Sequence, residues 1–330
     1  MPFTSRIISS VILGASTLLA AETPSTALLV LNKQEATLAI INPATLKVVA
    51  KVPTGEGPHE VAVSADGKWA FVSNYAKGGT SISAIDLVAQ KERRIDVGEL
   101  RGVHGIAAFE TKAMGGKGIF ASEAMKAVAS YDPATGKIEK LVDTHQDRSH
   151  MVVISRDGTK MFTSNMGSGS ISIIEKNAAG VWSAASVDVG ANPEGIDLTP
   201  DGKEIWTATY GDGKLAVVDV ASKKLKVTFP SNTRRANRVK ITLDGTHALV
   251  SDMGGGDLVI FDVASRKEIK RIALGTNPEG ILMDPSGSRA FVAVTGEDQV
   301  AVIDLKTLTV ATRFSPGKGT APDGMAWARR

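Results

Sequence analysis

Short apolar runs separated by polar turn residues recur along the chain, a pattern typical of β-strands joined by tight turns. One unit begins with the runs Val61–Ser64 and Trp69–Ser73, which are joined by an Asp-Gly pair at positions 66–67. Asp-Gly pairs accept the positive φ angles that a tight hairpin requires. A third and a fourth run follow in each unit, as in Leu258–Asp262 and Lys267–Ala273. The pattern therefore predicts repeated units of four antiparallel strands.

One polar position comes just before the first apolar run of each unit, and we call it the ring position. Its occupants, separated by 42–46 residues, are His59, His104, His150, Glu194, Asn237, Glu279 and Asp323. A second position, at the end of the third run, recurs equally often as Asn42, Asp86, Asp132, Glu175, Asp219, Asp262 and Asp304. A period near 40–50 residues with several short strands per copy indicates a β-propeller. We predict an all-β, seven-bladed β-propeller with four antiparallel strands per blade.

The two ends of the chain are expected to share one blade. The two periodic positions interleave so that the chain starts with three outer strands, at about residues 26–53, and ends with an unpartnered inner strand, at about residues 323–328. Pairing this last strand with the first three would remove exposed sheet edges and close the ring. The blade that holds His104 differs, because its first turn is lengthened over residues 110–118, where we expect a longer, mobile loop.

Composition narrows the function classes. The 330 residues carry a formal net charge of +3, which makes no case for a nucleic-acid partner or an anionic membrane surface. Cysteine is absent, which excludes disulfides, thiolate metal ligands and a thiol nucleophile. Residues 1–21 are interpreted as a secretory signal, with Arg6 before the apolar stretch 7–19 and small residues at Ala20 and Ala21; an uncleaved anchor is the alternative. We therefore expect a single propeller over residues 22–330, in the periplasm or secreted.

Four of the second strands end in a related tetrapeptide. These are Leu29–Asn32, Phe71–Asn74, Phe162–Asn165 and Leu249–Asp252, which read LVLN, FVSN, FTSN and LVSD. They resemble the Tyr-Val-Thr-Asn motif, so over about residues 26–328 the chain resembles the YVTN-repeat seven-bladed β-propellers of the lactonase-type and quinoprotein-like superfamily. That resemblance implies the fold. It leaves the function open, because lactonases, lyases, d1-haem domains and non-catalytic scaffolds share this architecture.

Three of the five histidines fall on the ring position. Inner strands of a propeller surround a central channel, so we expect His59, His104 and His150 at one mouth of that channel. Imidazole and carboxylate groups together are the usual donors for divalent zinc, iron, manganese or nickel, and a carboxylate across the channel could act as a general base. Two alternatives stay open: direct contacts to a polar ligand without metal, and simple solvation of a wet channel.

Basic residues flank the same position. Arg101, Arg148 and Arg238 lie within three residues of it, and guanidinium groups there would suit a carboxylate or phosphate ligand. The alternative is a solvated loop. The acidic positions from Asn42 to Asp304, in contrast, are expected to be structural, because Asp and Asn side chains bond nearby backbone N–H groups in turns.

These observations lead to one hypothesis and two competitors. The leading hypothesis is a monomeric, exported propeller that binds a small polar or anionic molecule, with or without a divalent metal held by the three histidines. The expected contacts are His59, His104, His150, Glu194, Asn237, Arg238, Glu279 and Asp323. One competitor is a metal-dependent lactonase or hydrolase, or a lyase-type enzyme, in which His59, His104 and His150 hold a metal or His150 acts as a base beside Arg148. The other is a non-catalytic scaffold for a protein partner.

Overall fold

The computed structural model describes residues 22–108, 117–132 and 134–330. The secretory signal predicted over 1–21 and most of the loop predicted over 110–118 lie outside these residues. Within the described chain, 28 strands form seven four-stranded antiparallel sheets, accompanied by two short helical turns at Ala76–Gly79 and Thr295–Glu297. The predicted seven-bladed propeller is confirmed. None of the described helices is long and apolar enough to cross a membrane.

The first blade contains strands from both ends of the chain. Its strands are β1 (Thr26–Asn32), β2 (Thr37–Asn42), β3 (Lys47–Pro53) and β28 (Pro322–Arg329). Blade 2 comprises β4 (Pro58–Val63), β5 (Trp69–Asn74), β6 (Ser81–Asp86) and β7 (Lys91–Asp96). Blade 3 comprises β8 (Val103–Ala108), β9 (Gly118–Ser122), β10 (Ala127–Tyr131) and β11 (Ile138–Asp143). Blade 4 comprises β12 (Ser149–Ile154), β13 (Lys160–Asn165), β14 (Ser170–Lys176) and β15 (Trp182–Asp188).

The remaining blades follow the same order, from inner to outer strand. Blade 5 comprises β16 (Pro193–Leu198), β17 (Glu204–Thr209), β18 (Lys214–Asp219) and β19 (Lys224–Pro230). Blade 6 comprises β20 (Ala236–Ile241), β21 (His247–Asp252), β22 (Asp257–Asp262) and β23 (Glu268–Ala273). Blade 7 comprises β24 (Pro278–Met283), β25 (Arg289–Val294), β26 (Gln299–Asp304) and β27 (Thr309–Phe314).

Strand β28 closes the ring as predicted. It is the innermost strand of blade 1 and pairs antiparallel with β1, with Ala328 opposite Ala27 and Ala326 opposite Leu29. The C-terminal strand is therefore part of the sheet that begins the chain.

The hydrophobic core lies between neighbouring blades. Between blades 1 and 2, for example, Leu29 and Ile40 pack with Val72 and Ile85, all without solvent exposure. Each blade is sandwiched between two others, so its middle strands bury both faces and read as nearly continuous apolar runs. The outermost strand faces solvent on most positions, as in β19, where lysines discourage edge pairing.

Every innermost strand carries a bulge at the ring position. In blade 2, Pro58 pairs with Asn74 and Val61 pairs with Val72, so two residues, His59 and Glu60, lie opposite a single residue of β5. The same two-against-one arrangement occurs in all seven blades. Such a bulge redirects side chains away from the regular pleat. In blades 2 and 6 it presents both Glu60 and the pair Asn237–Arg238 to the channel, where these side chains meet.

The third residue of the repeated tetrapeptide supports these bulges. The hydroxyl of Ser73 accepts a hydrogen bond from the backbone N–H of Glu60 at 3.0 Å, and Ser251 does the same for Arg238 at 3.0 Å. These N–H groups have lost their ladder partners, and a buried unpaired N–H is costly. The motif therefore satisfies the backbone that presents the ring residues.

The second periodic position is structural, as expected. The carboxylate of Asp86 accepts hydrogen bonds from the backbone N–H groups of Val88 and Ala89, at 2.8 Å each. Asp304 makes the equivalent bonds to Lys306 and Thr307. Asn42, Asp132, Asp219 and Asp262 hold the corresponding turns of their blades in the same way. In blade 4, Glu175 instead pairs with Lys160 and Lys223, and Asn177 accepts the backbone bonds of the turn.

Candidate functional site

The ring residues converge at one end of the central channel. The rings of His104 and His150 are stacked, with centroids 3.7 Å apart, and His59 lies edge-on to His104 at 5.0 Å. Close contact between inner strands makes this mouth narrow. A Cβ atom on Gly195 would lie 2.6 Å from the backbone oxygen of Asn237, so only glycine permits that approach. Imidazoles from three blades therefore reach one another.

His150 lies between two carboxylates. Its Nδ1 is 2.6 Å from Glu123 Oε1, and its Nε2 is 3.0 Å from Glu194 Oε1. Burial alone would lower the pKa of His150, but the hydrogen bonds to Glu123 and Glu194 outweigh it and raise the pKa. Burial alone would raise the pKa of Glu194, yet His150 and Arg238 hold it at about 2. The pair is thus arranged as imidazolium and carboxylate.

His104 has the opposite environment. It is 2% exposed, and its Nδ1 is buried without a hydrogen-bond partner in the described part of the chain. Burial is the main cause that lowers the pKa of His104 well below its usual value, and the nearby His150 lowers it further. A neutral imidazole with a free nitrogen is the form that binds metal ions. A ligand atom from each of His104, His150 and Glu194 lies within 4.8 Å of the other two.

The opposite half of the ring is an ion-pair network centred on two cations. Arg238 donates to Glu60 Oε1 at 2.5 Å, and its other terminal nitrogen, Nη1, donates to Glu194 Oε1 and to Asn237 Oδ1, both at 3.1 Å. Lys33 Nζ lies 2.5 Å from Glu279 Oε2. Because these groups are mostly buried, each depends on its partner to offset the cost of removing its charge from water.

Asp323 completes this half of the ring. It is fully buried; one oxygen lies 3.4 Å from the Lys33 ammonium, and neither oxygen has a hydrogen-bond partner among the described residues. Burial would raise the pKa of Asp323, but Lys33 and Arg238 outweigh it and lower the pKa. Asp323 is therefore an anion that is stabilised mainly by the positive charges of Lys33 and Arg238.

A small vestibule lies beside the ring at the same mouth. Its lining includes Tyr75, Arg101, Glu123 and Arg148, and its volume is about 550 Å³. The Tyr75 hydroxyl donates to Glu123 Oε2 at 3.0 Å. Burial and the neighbouring Glu123 raise the pKa of Tyr75 to about 12, so the hydroxyl stays protonated.

The structure separates the residues predicted for the site into two groups. His104, His150 and Glu194 form one cluster, and Asn237, Arg238, Glu279 and Asp323 belong to the ion-pair half. His59 lies between them, with Nδ1 3.1 Å from the backbone oxygen of Gly57 and its pKa lowered by burial. The ring of His59 contacts that of His104, but Glu194 rather than His59 offers the third ligand atom within 4.8 Å of His104 and His150.

Four residues of the site were missed by the sequence analysis: Lys33, Glu60, Tyr75 and Glu123. Three of them share a signal, because Lys33, Tyr75 and Glu123 each directly follow the last residue of a second strand. That turn position recurs once per blade and reaches over the mouth. Glu60 instead occupies the second bulge residue, a position filled by glycine in other blades, such as Gly105 and Gly195.

Arg148 occupies a left-handed backbone conformation, with a φ of 54°. Equivalent positions, two residues before the ring position, hold Gly57 and Asn192 at similar φ angles and Ala321 at 49°.

We expect Arg148→Gly and Ala321→Gly each to raise the free energy of unfolding by about 0.5–1 kcal/mol, since the left-handed strain of about 1–2 kcal/mol is partly offset by the extra chain entropy of glycine. Thermal melts of both variants measure this; a loss of stability in Arg148→Gly alone would show that its side-chain contacts outweigh the strain.

Comparisons with known proteins agree on the fold. No protein-family model matches the chain, and no curated protein matches it. Among solved structures, hydrazine synthase of Kuenenia stuttgartiensis is 18% identical with a TM-score of 0.73, covering 89% of this chain and 99% of that one. A protein of unknown function from Desulfotomaculum acetoxidans is 12% identical with a TM-score of 0.71, covering 92% and 99%. The dihydro-haem d1 dehydrogenase NirN in complex with DHE is 13% identical with a TM-score of 0.66, covering 93% and 67%. At such identities the likeness shows the fold alone.

Proposed function

We propose that this protein is a ligand-binding propeller that holds a divalent transition-metal ion through His104, His150 and Glu194. The observation that carries the proposal is the convergence of their donor atoms within 4.8 Å of one another in a buried site. Donors around a tetrahedral zinc ion with bonds of about 2.0–2.1 Å lie roughly 3.3 Å apart. Small side-chain rotations would therefore complete the contact.

The surrounding groups support metal ligation. Glu123 bonds Nδ1 of His150, so the ring would keep that contact and give up its Nε2 proton, which now bonds Glu194, when the ion binds. A carboxylate behind a ligating histidine orients the ring and increases its basicity. Two imidazoles and one carboxylate would leave a coordination position open for water or for a small polar ligand.

The charge at the mouth also favours a cation within the ring. Once His150 has given up its proton to bind the ion, the buried carboxylates of Glu60, Glu194, Glu279 and Asp323 face two buried cations among the described residues, Lys33 and Arg238. A divalent ion would offset the excess negative charge, whereas a free anion entering the same ring would add to it. The small polar ligand of this proposal therefore binds beside the metal rather than in place of it.

A role for His150 as a general base finds less support in the geometry. Both of its ring nitrogens lie within 3.0 Å of carboxylate oxygens, so neither faces a substrate. A general base must reach the proton that it abstracts.

Export and membership of the YVTN-repeat propellers also belong to this proposal, and both rest on the sequence patterns.

The proposal is tested by titrating zinc into chelator-washed protein by calorimetry, with elemental analysis of the loaded sample. We expect one ion per chain. Replacing one ligand, in His104→Ala or Glu194→Gln, should weaken zinc binding by at least about tenfold, the scale on which metal sites respond even to changes in outer contacts. His145→Asn, which changes an exposed histidine outside the ring, should bind zinc as the unaltered protein does.

Proton competition provides a second readout. Ligating histidines must be neutral, so zinc affinity should be lower at pH 5.5 than at pH 7.5. The metal proposal fails if folded protein binds no ion, or if His145→Asn weakens binding as strongly as His104→Ala does.

A further inference from the structure

The vestibule beside the ring has a charge distribution different from that of the ring itself. Two arginines, Arg101 and Arg148, line its wall together with Tyr75. The Arg101 side chain is exposed and has no carboxylate within 4.0 Å in the described part of the chain. Two arginines on one small concave surface therefore offer N–H groups that the protein itself leaves largely unused.

Arg148 is only loosely tied to the one acid nearby. Its Nη2 atom lies 3.9 Å from Glu123 Oε1, beyond hydrogen-bond distance, and its side chain is 49% exposed. Glu123 is already engaged, because His150 bonds that same oxygen and the Tyr75 hydroxyl donates to the other. Glu123 is thus satisfied by these neighbours. Arg148 also interacts with the Tyr75 hydroxyl, and its remaining N–H groups are available to a ligand.

The backbone at Arg148 adds an independent observation. Its left-handed conformation is required by the loop, since Gly57, Gly102, Asn192 and Asn277 adopt it at equivalent positions of other blades. Glycine and asparagine accept this conformation at low cost, and arginine does not. Ala321 in blade 1 shares the strained conformation, so the conformation belongs to the loop. What distinguishes blade 4 is that the residue in this conformation is an arginine that lines the vestibule.

We propose that the vestibule binds a small carboxylate anion, with one carboxylate held by the guanidinium groups of Arg101 and Arg148. Arginine donates two parallel hydrogen bonds to a carboxylate, and phosphate shares that acceptor geometry. The vestibule volume of about 550 Å³ accommodates a dicarboxylate of a few carbon atoms.

The vestibule shares Glu123 with His150, so a second carboxylate on the same molecule can extend toward the metal ligands. This coupling to the metal rests on the proposed function. The anion site itself depends only on the arginines.

The probe is malonate, titrated by calorimetry into metal-free and zinc-loaded protein at fixed ionic strength, with malonamide as the uncharged analogue. Malonate should bind the metal-free protein, and malonamide should not. Arg148→Gln and Arg101→Gln should each weaken malonate binding roughly three- to tenfold, the range for one charged hydrogen bond at a partly exposed site. Inorganic phosphate in place of malonate tests whether the site selects carboxylates, and comparable phosphate binding would overturn that selectivity.

Arg156→Gln is the matched control, because it removes the same charge from the turn between β12 and β13 at the opposite end of the channel. Equal weakening by Arg156→Gln would indicate general charge attraction and overturn the site. Absence of malonate binding in folded, metal-free protein would overturn it as well. Malonate binding that is identical with and without bound zinc would overturn only the coupling, while zinc binding without malonate binding would leave the metal proposal standing.

Discussion

Deleting residues 323–330 should abolish cooperative thermal unfolding of the protein, although these residues resemble a dispensable tail. They form almost all of β28, the innermost strand of blade 1. Without them, the edge of β1 would be exposed along its length, and the backbone pairs from Thr26 to Val30 would be lost. The contact between Gly324 and the backbone of His59 would disappear too, which would open the ring between blades 1 and 2.

The expected size of this effect follows from what is removed. Each backbone hydrogen bond contributes about 0.5–1.5 kcal/mol, and full burial of a large apolar side chain contributes about 1.5–3 kcal/mol, of which the partly buried Trp327 supplies a share. Together these losses approach the roughly 5–15 kcal/mol that separates a typical folded domain from its unfolded state. Circular dichroism melts and size-exclusion chromatography would measure the outcome.

A shorter deletion provides the control. Removing only Arg329 and Arg330 loses the pairing of Arg329 with Thr26 and the bonds of Arg330 to Ser25 and Thr23, but it leaves the rest of β28 in place. This variant should keep a cooperative melt within a few degrees of the unaltered protein. A longer deletion that also melts cooperatively at an unchanged temperature would contradict closure of the ring by β28. If a synthetic peptide of residues 320–330 restored cooperative unfolding to the truncated protein, the result would support closure of the ring by β28.

Arg238→Met should destabilise the protein by about 3–5 kcal/mol at pH 7, the usual cost of removing one partner from a buried ion pair. The substitution keeps the volume of the side chain but leaves Glu60 and Glu194 without their guanidinium partner. Arg94→Met removes an arginine that is half exposed and, among the described residues, pairs with Glu92 alone, and it should cost no more than about 1 kcal/mol. Chemical denaturation of the two variants measures the difference.

The pH dependence of this effect has a defined sign. In the unaltered protein the pKa of Glu194 is lowered to about 2, so its contribution to stability is present above its ordinary pKa of 4.5 and is lost as the pH falls through about 2. Without Arg238 the folded-state pKa of Glu194 should rise. The stability difference between variant and parent should therefore shrink from pH 7 to pH 4. A difference that is constant over this range would show that packing, rather than charge, dominates the role of Arg238.

Much of the fold was accessible from local patterns, for reasons that particular residues show. The hairpin signal at 66–67 is local, because an Asp-Gly pair determines a turn without help from the rest of the chain. The ring position recurs seven times, and this predicted seven blades because each copy of the repeat forms one blade. The bulge at His59 and Glu60 was not predicted. It inserts one residue into one strand of a pair, and only the register between β4 and β5 reveals it.

The candidate site was accessible only in part. Aligning equivalent strands placed His59, His104 and His150 at one level, because equivalent positions in a ring face the same axis. The choice of partners depended on distances across blades. Glu123 reaches His150 from a turn of the preceding blade, and Glu194 reaches it from the innermost strand of the following blade. A repeat pattern does not contain such contacts, since it describes each blade by itself.

By itself, the sequence determined the strands, their number and the position at which polar side chains meet, because turn chemistry and hydrophobic periodicity act within a few residues. Only the tertiary structure decided which of those side chains touch. Glycines such as Gly195 and Gly324 allow a narrow channel. In this channel His104 stacks on His150, and Arg238 forms ion pairs with Glu60 and Glu194. Distance and burial govern electrostatic and metal-binding chemistry, and both arise only when the ring closes.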